Sequence, residues 1–227
     1  MSRPAGPARI GASSLNFLGR TSILHDTEFE TRAAELIEAG RFIDGRGWVP
    51  ATSGNFSARL GDGRIAITVS GRHKGRLRPE DIMLVDAAGR SLDGRKPSAE
   101  TLLHTGIYRR YPEAHAVLHP HSPASTLLSR LVSGAVILED YELLKALAGI
   151  DTHATRIVVP VFPNDQDIPR LALKIEEYLV RHDGVHAYII AGHGFYTWGK
   201  SVADALRHVE ALEYLFDLET RMHGVKR

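Results

Sequence analysis

Ala114-His115-Ala116-Val117-Leu118-His119-Pro120-His121-Ser122-Pro123 is the stretch on which the reading of this chain turns. Ala114 to Leu118 is a short apolar run of strand character. Ser122 is a helix N-cap candidate, followed by Pro123 at the first turn, where a missing amide proton costs nothing. Two imidazoles lie between strand and helix. In extended backbone, residues i and i+2 point to the same side, so His119 and His121 can face one ion, and Pro120 stiffens the interval between them. A strand that passes directly into a helix through polar residues is the grammar of an α/β fold.

The flanking sequence extends that pattern. Towards the N-terminus, Thr27 and Glu30 have capping-box spacing, and an apolar stripe of Phe29, Ala33, Leu36 and Ile37 predicts a helix that stops before Gly40. A Gly/Ser/Thr/Pro-rich connection over 42–54 leads to Phe56–Leu60, the turn Gly61-Asp62-Gly63 and Ile65–Val69, which together read as a hairpin. Ile82–Val85 is a further strand. A helix is expected from near Ser98 to just before Pro112, another capped by Asp140 with Leu143, Leu144 and Leu147 inward, and a third over Leu171–Val180. Ile157–Val161 and Val185–Ile190 read as strands, and a long striped helix runs from Ser201 to about Met222. Helices interleaved with strands imply a layered α/β domain, and the hairpin argues against a purely parallel sheet. Nothing divides the chain, so residues 21–227 are read as one domain behind a loosely ordered tail over residues 1–20.

Composition narrows the function classes. The chain has 227 residues, 43% hydrophobic, enough for a substantial core. The formal net charge of +1 gives no reason to expect a broad nucleic-acid-binding surface. The basic run Gly71-Arg72-His73-Lys74-Gly75-Arg76-Leu77-Arg78 reads as a solvated loop. No apolar run approaches the ~20 residues needed to cross a bilayer, and the first ten residues lack a signal-peptide apolar region. With no cysteine, any metal must be held by histidine, carboxylate or water, in keeping with a cytoplasmic protein.

Among the twelve histidines, one more stands out. His193 lies in Gly192-His193-Gly194, directly after the apolar run Val185–Ile190. Its glycines permit unusual backbone angles and remove side chains that would crowd a ligand, although the same residues also suit a plain tight turn. Strand ends of an α/β sheet present residues to a common crevice, so His193 can join His119 and His121. Three neutral imidazoles with an open position are the usual arrangement for catalytic zinc. His115 reads instead as a core histidine. Glu100 and Glu142 each fall in the first turn of an expected helix, where amide dipoles favour a carboxylate whether or not it has a chemical role.

Read together, these segments resemble the class II aldolase/adducin family over nearly the whole chain from about Thr27. The resemblance rests on Thr52-Ser53-Gly54-Asn55-Phe56-Ser57, Thr68-Val69-Ser70-Gly71, Lys96-Pro97-Ser98-Ala99-Glu100-Thr101, His119-Pro120-His121, Tyr141-Glu142-Leu143-Leu144-Lys145, Gly192-His193-Gly194 and Trp198-Gly199. It implies a three-layer α/β/α sandwich around a largely antiparallel, mixed sheet, assembled as a homotetramer. It also implies one zinc ion per chain on His119, His121 and His193, and a sugar phosphate held by Gly54, Asn55, Ser70, Gly71, Lys74 and Ser98. Small residues that expose backbone amides, with neutral donors and one lysine, suit a dianion. The branch most similar dehydrates 5-methylthioribulose 1-phosphate in methionine salvage. In that branch Glu142 matches the acid–base glutamate, while the aldolases use the one matching Glu100, where alanine at 99 departs from their pattern; the resemblance thus implies Glu142 as the main acid–base residue, with Glu100 supporting it. An aldolase or 4-epimerase for another sugar phosphate is the alternative, and a non-catalytic adducin-like assembly protein is a second.

Overall fold

The computed structural model describes Met1 and residues 15–225, with side chains from Thr27 onward. Eight strands form one sheet in the order β3-β2-β1-β4-β8-β7-β6-β5. They are β1 (Asn55–Arg59), β2 (Ile65–Thr68), β3 (Ile82–Val85), β4 (Ala116–His119), β5 (Ala135–Glu139), β6 (Arg156–Phe162), β7 (Ala187–Ile190) and β8 (Gly194–Gly199). Every neighbouring pair is antiparallel except β6 and β7. The sheet is therefore mixed and largely antiparallel, and the expected hairpin is β1–β2, with Ser57 opposite Ile67.

Five helices cover both faces: α1 (Leu15–Gly45), α2 (Thr101–Arg110), α3 (Pro123–Leu131), α4 (Ile168–Arg181) and α5 (Val202–Val225). The period of two along each strand sorts side chains between two cores. Phe56, Ala58, Leu118, Ile189 and Phe195 pack with Leu36 and Ile43 of α1, Leu128 of α3 and Leu212 and Phe216 of α5. Ile67, Val117, Tyr188 and Tyr196 pack on the other face with Leu103 and Ile107 of α2 and Leu171 and Ile175 of α4. Three layers follow from that alternation. No described helix is long and apolar enough to cross a membrane.

Several expectations are corrected. The tail expected over 1–20 falls mostly on residues outside those described, and residues 15–20 begin α1. That helix runs uninterrupted through Thr27, so Thr27 and Glu30 do not cap its start. Nor does it stop at Gly40. A Cβ there would lie 2.4 Å from the Lys74 carbonyl oxygen, so this glycine marks a close approach between α1 and the 74–76 turn rather than a helix end. Asp140 caps nothing. It has a left-handed φ of 59°, incompatible with the extended backbone of an N-cap, and only a short 3₁₀ turn follows, Glu142–Ala146. Leu144 and Leu147 are buried as expected, but Leu143 is exposed. His115 is also exposed rather than in the core. Ser122 does cap α3, accepting from the Ser125 amide with Pro123 in the first turn. Strands β5 and β8 were not anticipated.

The Gly40 contact is testable. Gly40→Ala should destabilise the protein by about 1–3 kcal/mol through overpacking against backbone that cannot yield. Gly45→Ala, with nothing within 4 Å of the added carbon, should be neutral or slightly stabilising. Urea unfolding of both variants checks the contrast, and equal midpoints would refute it.

Candidate metal centre and its cavity

His119 ends β4, and Asn55 of β1 sits opposite it in the ladder. On the other side β4 pairs with β8, and the Tyr196 ring of β8 stacks on the His119 ring at 3.9 Å and 10°. The turn between β7 and β8 carries His193. Gly194 must be glycine here, because a Cβ would lie 2.3 Å from the Pro120 carbonyl oxygen. This contact holds the His193 turn against the His119–His121 segment. Helix α3 anchors the same turn, with Ser129 Oγ accepting from the Gly192 amide and Thr126 Oγ1 donating to the His193 carbonyl.

Sequence-distant residues thus converge. One ligand atom each from Glu100, His119, His121 and His193 lies within 4.8 Å of the others. His119 Nδ1 is 2.8 Å from the Phe195 carbonyl, so it carries the proton and donates, which leaves Nε2 as a lone-pair donor to a cation. His121 Nε2 lies 2.8 Å from that same His119 Nε2. Burial, reinforced by neighbouring imidazoles, pushes His119 well below the usual histidine range and His121 down to about 2. Neutral rings with facing nitrogens and an adjacent carboxylate are the donor set that suits a divalent ion.

Glu100 does not perform the routine task its place suggests. It precedes α2 as the N-cap residue, yet its side chain caps no amide. The carboxylate turns to the centre, with Oε2 3.3 Å from His119 Nε2 and Oε1 3.2 Å from His193 Nε2. Asn55 Nδ2 donates to Oε2 at 2.6 Å, and the Tyr196 hydroxyl donates to it at 3.0 Å. Glu142 lies elsewhere. It is 72% exposed, paired with Lys145 at 2.6 Å and near His153 at 3.7 Å. It lines a separate cavity of about 1050 Å³ with Trp48, Tyr141 and Tyr214. Within one chain, the structure does not bring the two glutamates together.

The metal-side cavity has a volume of about 520 Å³, and Gly54, Asn55, Ser70, Gly71, Lys74 and Ser98 all line it with Glu100, His121 and His193. Lys74 is not the solvated residue expected of the basic run. It is 2% exposed, and its ammonium donates to the Thr52 and Arg72 carbonyls at 2.7 and 2.6 Å. Burial lowers its pKa to about 8, against a raising effect from Glu100. The lysine therefore stays mostly charged at neutral pH. Asn55 commits both ends of its side-chain amide inside the protein, to Glu100 and to His104 Nε2.

Sequence reasoning missed the opposite wall, made by Asn164, Asp165, Gln166, Ile168 and Leu171. Arg170 grips Asp165 through two bonds of 2.6 and 2.7 Å, which fixes this β6–α4 connection. The run Asn164-Asp165-Gln166-Asp167 ahead of a helix was the available signal. Tyr196 was missed because its strand was.

Comparison with known proteins places this geometry. The family model described as class II aldolase and adducin N-terminal domain matches residues 34–220. A protein of Pseudomonas syringae pv. syringae named methylthioribulose-1-phosphate dehydratase is 54% identical over 198 residues, covering 86% of this chain and 97% of its own. One of the same name from Azotobacter vinelandii is 55% identical, covering 85% of this chain and 94% of its own. Among solved structures, the L-fuculose-1-phosphate aldolase of Thermus thermophilus superposes with a TM-score of 0.68 at 28% identity, covering 86% of this chain and 95% of its own.

The purified chain should carry about one divalent ion, and His121→Ala should lose it. The expected fall in affinity exceeds the ~10–100-fold typical of outer partners of a metal ligand. Elemental analysis and competition with a chelator measure this. A His121→Ala protein retaining a full complement of metal would refute the site.

Proposed function

This chain belongs to the class II aldolase and adducin N-terminal domain family, and we propose on that footing that it dehydrates 5-methylthioribulose 1-phosphate to 2,3-diketo-5-methylthiopentyl 1-phosphate. The observation that carries this reading is the placement of Glu100 against His119 and His193 on the wall of the cavity that also gathers the small-residue segments and Lys74. Relatives more than half identical over nearly their full length bear the dehydratase name.

His119, His121 and His193 are the assigned ligands, and the metal is assigned as zinc, in keeping with three imidazoles. Bound there, the ion would supply Lewis acidity beside the substrate carbonyl, the chemistry that makes the adjacent C3 proton removable. Glu100, held by Asn55 and Tyr196 on the cavity wall, takes that proton. The protonated carboxyl then delivers the proton to the C4 hydroxyl, which leaves as water. The resulting C3–C4 enol tautomerises to the diketone. The phosphate is assigned to Gly54, Ser70, Gly71 and Ser98 with Lys74, whose ammonium retains one N–H beyond the two given to carbonyls, while the Asn55 side chain expected there is committed to Glu100 and His104. Ile168 and Leu171 supply apolar surface suited to the methylthio end.

Glu142 keeps a second reading. Its exposed 3₁₀ turn, with Leu143 and Tyr214 also exposed beside the larger cavity, is a surface on which copies of this chain can associate. In a homotetramer, Glu142 would reach a metal centre by belonging to a neighbouring copy. A cytoplasmic place in methionine salvage accords with the absence of cysteine.

Incubation with methylthioribulose 1-phosphate should yield diketone, whereas release of an aldehyde would indicate an aldolase. Glu100→Gln should retain metal and lower kcat by about 10²–10⁴-fold, the usual worth of a positioned acid–base group. If Glu142→Gln shows that loss and Glu100→Gln does not, the proton passes to the residue from the neighbouring copy.

A further inference from the structure

Behind the metal centre lies a polar chain that the proposed reaction does not yet use. Glu100, His104 and Tyr108 recur every four residues from the α2 N-cap, and so share one helical stripe. Asn55 and Ser57 lie two apart on β1 and share one sheet face. The two rows meet. Asn55 joins Glu100 to His104 Nε2, His104 Nδ1 lies 2.7 Å from Ser57 Oγ, and Ser57 Oγ lies 2.8 Å from the Tyr108 hydroxyl. All four residues behind Glu100 are nearly sealed from water: Asn55 5%, Ser57 0%, His104 0% and Tyr108 5% exposed.

A single acceptor fixes every proton in this chain. The Glu100 carboxylate receives from Asn55, so the amide NH₂ faces Glu100 and its oxygen faces His104. His104 must then carry its proton on Nε2 to donate to that oxygen. Its bare Nδ1 accepts from the Ser57 hydroxyl, and Ser57 in turn accepts from Tyr108. The row therefore runs one way, Tyr108 to Ser57 to His104 to Asn55 to Glu100.

We propose that His104 is a positioning residue for the reaction. It locks the Asn55 amide, which aims Oε1 of Glu100 at the metal-side cavity while Oε2 is held. The inference rests on the assignment of Glu100 as the proton acceptor. Burial pushes His104 down to about 4, so the ring is neutral, as the bond order requires. A neutral Asn amide is symmetric enough in shape to sit either way round. The Glu100 carboxylate attracts the NH₂ end, and the Nε2–H of His104 holds the oxygen end; without His104 that buried oxygen loses its donor and the amide is fixed from one side alone.

Two measurements on the metal-loaded protein test this. Nitrogen NMR of histidine-labelled enzyme should show His104 as the Nε2–H tautomer; an Nδ1–H ring overturns the proposal whatever the activity. In kinetics, His104→Leu should bind metal as the parent does, keep KM within about three-fold, and lose kcat by roughly 10²-fold, as expected of a small misplacement of a reacting group. His104→Gln, whose side-chain NH₂ can still donate to Asn55, should recover at least about ten-fold of that loss. A folded, metal-loaded His104→Leu with parental kcat, or a Gln variant as impaired as Leu, overturns it. If Glu100→Gln itself retains turnover, the underlying assignment fails instead, and the two failures are thereby told apart.

Discussion

Strand β4 sits between β1 and β8, and the site depends on that sandwiching. Backbone hydrogen bonds on both sides fix where β4 ends, and hence where His119 projects. Asn55 arrives from one neighbour and Tyr196 from the other, each on the face shared with α2 and α4. No single one of these side chains could select the arrangement. The ladder itself sets them side by side, so sheet formation and the burial of Leu118, Ile189 and Phe195 offset the cost of gathering like donors.

Much of this was legible because it rests on short-range rules. The Ser122 cap and the β1–β2 hairpin need only neighbouring residues for their interpretation and formed as read, and the rings of His119 and His121 face one another across Pro120. The convergence of His193 needed one further idea, that strand ends share a crevice, and the glycines around it gave the hint. Two local readings failed, the Thr27–Glu30 box inside a longer helix and the cap at Asp140 with its left-handed φ; the other failures depend on a remote partner. Gly40 looks like a helix stop until the 74–76 turn is seen against it. Lys74 looks solvated until Thr52 and Arg72 are found around its ammonium. His104 carries no local signal, because its partners lie on β1, far away in sequence.

The two glutamates illustrate the same boundary. Both lie at helix starts, which favour carboxylates for generic reasons, and sequence cannot say which way either points. In space they part company: Glu100 turns inward without capping its helix, and Glu142 pairs at the surface with Lys145. The resemblance to known families assigned both a chemical role, and geometry within one chain separates them into two cavities.

The tethering of Lys74 has a kinetic side. An ammonium pinned by two carbonyls is a stationary pole: it cannot follow a departing ligand outward, nor fold over one that is too small. On the proposed assignment, an anion that fails to span the distance between this pole and the imidazoles would meet only one of them, so length would be a criterion for admission. Across the cavity the Arg170–Asp165 pair is the counterpart of this fixed charge, holding the opposite wall as firmly.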